Sequence, residues 1–127
     1  MLRMEIKTTT KYTFLINFLI GIFFGFSMFV IPEIYFDLTS WPQELYAARA
    51  LGPFFLAVAI GALLAFRESD WERVEIFVYL SLVLNILGLV GSVWSMLIMT
   101  LPVIGWAYTG LWAFLSLLYL YVYYTQR

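Results

Sequence analysis

Charged residues are absent from positions 12–32 and 76–126 and cluster in the segments outside these gaps. The first gap holds one apolar run of the roughly 20 residues that a ~30 Å hydrocarbon layer takes as helix. The second is 51 residues long, more than one crossing needs, and is divided at 100–105 by a turn containing Pro102. A third apolar run lies between Arg49 and Arg67, eighteen positions apart, or about 27 Å as helix at 1.5 Å per residue. The pattern predicts four helices, at about 13–32, 41–66, 70–99 and 106–124. The expected fold is all-α: a polytopic membrane protein in which residues 1–127 form one compact antiparallel bundle of four transmembrane helices.

Local signals place the boundaries. Pro32-Glu33 closes the first run. Ser40-Trp41-Pro42-Gln43 reads as a capping box that opens the second helix, and Ser69 followed by Glu72 reads as another that opens the third. The first run exceeds the apolar region of a secretory signal, and no small-residue cleavage pattern follows it, so it is expected to stay as a helix.

Within the third helix, Ser81, Asn85, Gly88, Ser92 and Ser95 recur at steps of four, three, four and three, which puts them on one seam. Lipid is as apolar as leucine, so membrane helices associate through close packing of small residues and through interhelical hydrogen bonds. The seam is therefore expected to face the bundle interior. Asn17, Gly21 and Gly25 form a similar face on the first helix, Ala57, Gly61 and Ala65 on the second, and Thr109 or Gly110, Ala113 and Ser116 on the fourth. Asn85 lies about 13 Å past the last charged turn, near the middle of the layer. An unpaired amide there is expensive, so it is expected to tie two helices or to contact a ligand.

Composition strengthens the membrane reading. Of 127 residues 64% are hydrophobic and 12% charged, against roughly 25% charged in soluble domains. Lys and Arg are distributed unevenly. Arg3, Lys7, Lys11, Arg67, Arg73 and Arg127 fall on one side and only Arg49 on the other, so both termini are expected in the cytoplasm. A net charge of −1 leaves no basic footprint, so nucleic acid is not an expected partner; the lipid bilayer and other membrane subunits, or a second copy, are.

Candidate chemistry is sparse. With no Cys and no His, the commonest metal and proton-shuttle ligands are missing, and no metal-ligand spacing or catalytic set stands out, so a metal site, a catalytic residue or a cofactor is not expected from motifs. Glu33, Asp37, Glu44 and Arg49 make an interfacial charge cluster, read as a solvated face with a salt bridge to the arginine. No charge lies deep in any expected helix, which argues against proton-coupled transport.

ARALGPFFLAVAIGALLAFR at 48–67, a charged hairpin after it, and GWAYTGLWAFLSLLYLYVYY at 105–124 resemble the DoxX-like group of small four-helix membrane proteins. The resemblance implies a four-helix bundle and, as for some members of the group, an association with quinone-linked oxidoreductase systems; it implies no catalytic residue at any position here.

The leading expectation is a non-catalytic accessory or scaffold subunit packing against other membrane proteins. Binding of a lipophilic ligand or quinone is the alternative, with Asn85, Ser81 and Ser92 as polar contacts in an apolar pocket. A passive pore or small-solute carrier is the third.

Overall fold

A computed structural model describes residues 5–42 and 44–126. The described residues form five helices: α1 (Thr8–Val30), α2 (Pro32–Thr39), α3 (Leu45–Arg67), α4 (Trp71–Ile98) and α5 (Ile104–Gln126). The protein is an all-α bundle, and four of the helices are long and apolar enough to cross a membrane. Each carries a wide apolar outer surface, as a helix facing lipid does. Both ends of the described chain lie at one end of the bundle, called here the terminal end. The α1–α3 connection and the α4–α5 turn lie at the far end.

The fifth helix, α2, is absent from the pattern of apolar runs. Proline disfavours helix in the residue before it, yet fits the first position of a new helix, where its missing N–H has no intrahelical partner. Ile31 accordingly leaves the helical region (φ −130°, ψ 48°) and Pro32 starts α2. α2 ends at Ser40, whose left-handed backbone (φ 56°) turns the chain toward α3. Ser40 thus closes a helix, whereas the capping box expected it to open one. Gln43 lies outside the described residues, as do Arg3 and Arg127 of the charge count.

Other boundaries move as well. α1 starts at Thr8, five residues before the apolar run, because the polar first turn is helical without being greasy. α3 starts at Leu45, four residues later than the expected 41, and runs on through Pro53. α4 starts at Trp71 after an extended Asp70, with no side-chain capping bond, so the Ser69–Glu72 box is not formed. The backbone carbonyl of Ser69 instead accepts the Ile6 N–H at 3.3 Å.

The bundle is built from two antiparallel pairs, α1 with α3 and α4 with α5. Small residues set both separations. On α1 and α3, a methyl at Gly21 would lie 2.9 Å from the Ala59 Cβ, and one at Gly52 would lie 2.7 Å from the Phe29 Cβ. On α4 and α5, the Trp112 ring lies over Gly88, and the Ser92 hydroxyl meets that of Thr109 at 2.6 Å. The buried face of α3 runs through Ala48, Gly52, Ala59, Ala62 and Ala65. Ala57 is exposed, which corrects its expected place on the packing seam. The seam of α3 follows Ala59, which is two residues and about 200° away around the helix.

At the terminal end the two pairs meet in a packed core. Phe14, Phe77 and Tyr119 join α1, α4 and α5, with ring centroids 5.9–6.4 Å apart, over Val74, Val78 and Val122. Below this core the N-terminal segment is tied down by Gln126, which is only 2% exposed. Its Oε1 accepts the Lys7 N–H at 3.1 Å and the Thr10 hydroxyl at 3.0 Å, and its Nε2 donates to the Glu5 carbonyl at 2.6 Å. The Lys7 ammonium also donates to the Thr125 carbonyl, at the negative end of the α5 dipole.

Candidate functional site

The aromatic core fills the terminal half of the space between the two helix pairs. Beyond Asn17 and Asn85 the pairs leave a cavity of about 240 Å³. Its walls come from all four long helices and include Phe24, Phe55, Leu84, Leu115 and Trp112. Tyr35 and Phe36 of α2, together with Trp41, line its far end. Gly21 packs against Ala59 within one pair and Gly88 lies under Trp112 within the other, so each pair is close-packed where it borders the cavity.

Two amides stand at the floor. Asn17 is 5% and Asn85 3% exposed. The Asn17 Nδ2 donates to the Tyr119 hydroxyl at 2.6 Å, joining α1 to α5 across the bundle. Ser81 is buried as well, one turn before Asn85 on the same helix. Asn85 behaves differently. Its Nδ2 donates at 2.6 Å to the carbonyl of Ser81, one turn back in the same helix. Of the two roles expected for Asn85, the interhelical tie therefore falls to Asn17 and Tyr119 instead.

The orientation of the Asn85 amide follows from this bond, because a backbone carbonyl only accepts. Its Oδ1 accepts from none of the described residues. No buried side-chain nitrogen or oxygen is sealed away without a partner among the described residues, so this oxygen is in contact with open space, and the residue lines the cavity. The floor thus presents a bare amide oxygen to an apolar, aromatic chamber.

The far end is an aromatic cluster. The Tyr35 and Tyr108 hydroxyls are 2.7 Å apart and their rings stack at 6.5 Å. Phe24 and Trp41 pack on Tyr108 at 5.8 and 5.4 Å. Burial, then the bond to Tyr108, push the Tyr35 phenol above its ordinary range, so it stays neutral and keeps its proton.

The remaining expected site residues separate. Gly88, Ser92 and Ser95 line a second cavity, of about 260 Å³, along the α4/α5 seam, apart from Ser81 and Asn85. Gly21 and Gly25 are buried against α3; Gly61 lies under the Phe77 ring, and Ala113 is half-buried. Of the charge cluster, Arg49 donates to the Glu33 carboxylate at 2.6 Å, while Asp37 and Glu44 are exposed. The guanidinium hydrogen bond holds the Glu33 carboxyl below its usual value of 4.5.

Sequence reasoning did not single out Tyr35, Tyr108, Trp112 or Tyr119 as site residues. All four are aromatics in an aromatic-rich chain, and nothing in their spacing separates a cavity wall from a lipid-facing anchor. For Tyr35 a signal was present: Pro32 fits the first turn of a new helix, and the adjacent Tyr35 and Phe36 are the aromatics that such a helix can turn inward.

Fold and site together define a class: a multi-pass bundle of four long apolar helices with a partly open cavity between the helix pairs, floored by two asparagines. In comparisons with family models, curated proteins and solved structures, nothing matches the chain.

Proposed function

We propose that the protein binds a lipophilic ligand, a quinone-type ring among the possible classes, inside its bundle, with both termini on the cytoplasmic side. The observation that carries this reading is the pair of buried amides at the end of an apolar cavity. A polar atom in such a place raises the free energy of the fold unless something meets it. Packing alone would be served better by leucine at position 85, since the Asn85 side chain joins nothing outside its own helix. Small-molecule sites have this composition: mostly apolar and aromatic walls with a few polar groups that orient the ligand. The packed terminal half lends no support to a pore. The resemblance to the DoxX-like group is compatible with the proposal but does not carry it.

The test is mass spectrometry of small molecules extracted from the purified full chain, compared with Leu84→Trp, which fills the cavity from α4. A compound retained by the wild type and lost from the variant is the expected result. Equal retention by both, or nothing retained by the wild type from native membranes, refutes the proposal.

The accessory-subunit reading keeps one observation in its favour. Gly91 and Gly110 are exposed on α4 and α5 with nothing within 4 Å of an added methyl, so these faces accept close approach of another helix. Crosslinking in native membranes tests it, and a lone monomer with no partner counts against it.

A further inference from the structure

Building on the ligand-binding proposal above, we infer that the ligand is a ring-sized lipophile carrying a hydroxyl donor, which it gives to the bare Oδ1 of Asn85. The size follows from volume. A dry cavity of about 150 Å³ holds one benzene, so the 240 Å³ here accommodates a flat group larger than one ring. A bicyclic system of roughly ten heavy atoms is of that size. The walls suit a flat group, since Phe24, Phe55 and Trp112 line the space.

The donor follows from which valences of the floor are already used. The Asn85 Nδ2 is engaged by the Ser81 carbonyl, and the amide cannot rotate by 180° without placing oxygen against oxygen. Asn17 is engaged by Tyr119, and the Tyr35 and Tyr108 hydroxyls by one another. What remains unpartnered at the floor is the acceptor Oδ1 of Asn85, with the second Asn85 N–H beside it and the Tyr108 hydroxyl proton at the opposite end. A ketone, an ester or an oxidised quinone can accept from the second Asn85 N–H or from the Tyr108 hydroxyl but leaves Oδ1 unmet, whereas a hydroxyl can accept from the same groups and also donate. A phenol, hydroquinone or alcohol satisfies Oδ1 directly. Sites built around a buried polar group reject analogues that leave it unpaired far more strongly than they reject a change in apolar size.

Equilibrium dialysis of the full chain in detergent tests the inference with 1-naphthol, 1-methoxynaphthalene and 1-methylnaphthalene, each affinity expressed per mole fraction of probe in the micelle. The ring is the same in all three. The methoxy compound keeps the acceptor and loses the donor, and the methyl compound keeps neither. Naphthol is expected to bind about tenfold tighter than both, a difference of ~1.4 kcal/mol. Equal affinity for the three overturns the donor inference and leaves the cavity as a binding site. No binding of any of them overturns the ligand-binding proposal as well. In Asn85→Leu the preference for naphthol is expected to vanish while the ring still binds; an unchanged preference assigns donor recognition to another residue. The wild-type comparison decides the inference even if that variant does not fold.

Discussion

Replacing Gly52 by alanine tests the packing that holds α1 against α3. An alanine methyl would stand 2.7 Å from the Phe29 Cβ and 2.8 Å from its backbone nitrogen. Ordinary contact begins near 3.4 Å, so α1 and α3 must part locally by about 0.7 Å, and backbone atoms cannot rotate out of the way as a flexible side chain can. Overpacking of this kind destabilises by about 1–3 kcal/mol. Alanine also raises helix propensity by about 1 kcal/mol over glycine, which offsets part of the loss. Gly110→Ala isolates that second effect, because a methyl there meets nothing within 4 Å. The two variants should therefore differ by about 1–3 kcal/mol, with Gly52→Ala the less stable. The assay is reversible unfolding in mixed micelles of rising dodecyl sulfate fraction, followed by near-ultraviolet circular dichroism. If the two curves coincide to within about 0.5 kcal/mol, α1 and α3 do not pack through Gly52 and the pairing described above is wrong.

Tyr119→Phe removes the acceptor of the Asn17 Nδ2, and a double-mutant cycle with Asn17→Leu should return a coupling of about 1 kcal/mol; additive effects refute the tie. Gln126→Ala cuts the N-terminal segment loose from α5, so hydrogen exchange at the amides of Ile6 and Lys7 should accelerate while exchange in the middle of α4 does not; unchanged exchange at Ile6 refutes the clamp. The Arg49 hydrogen bond holds the Glu33 carboxyl below 4.5, so the pair favours the folded state above that pH, and its contribution disappears as pH falls through the lower folded value. Acid titration of stability should show this small, salt-sensitive step in the wild type and not in Arg49→Gln; an identical step in both refutes the assignment.

Much of the architecture is legible in the order of residues, for one physical reason. A helix in hydrocarbon satisfies its own backbone, so an apolar run of sufficient length specifies it without help from the rest of the chain. The four long helices, the small faces of α1 and α4, and a salt bridge from Arg49 to its acidic cluster follow from runs, spacings and charge; that Glu33 is the partner does not. Boundaries were less legible: α2 sits behind a proline that reads equally well as a stop, and Ser40 sits in a capping pattern but closes a helix. The site was barely legible, since it depends on which side chains from distant helices share a space. Asn85 announced itself as an isolated amide in an apolar seam. That its nitrogen turns back to Ser81, that Asn17 reaches Tyr119, and that Tyr35 and Tyr108 close the opposite end were decided only when two helix pairs packed at one end and stayed apart at the other. Local periodicity reports which face of a helix is greasy; it carries no record of the distance between helices, and that distance is what makes a cavity.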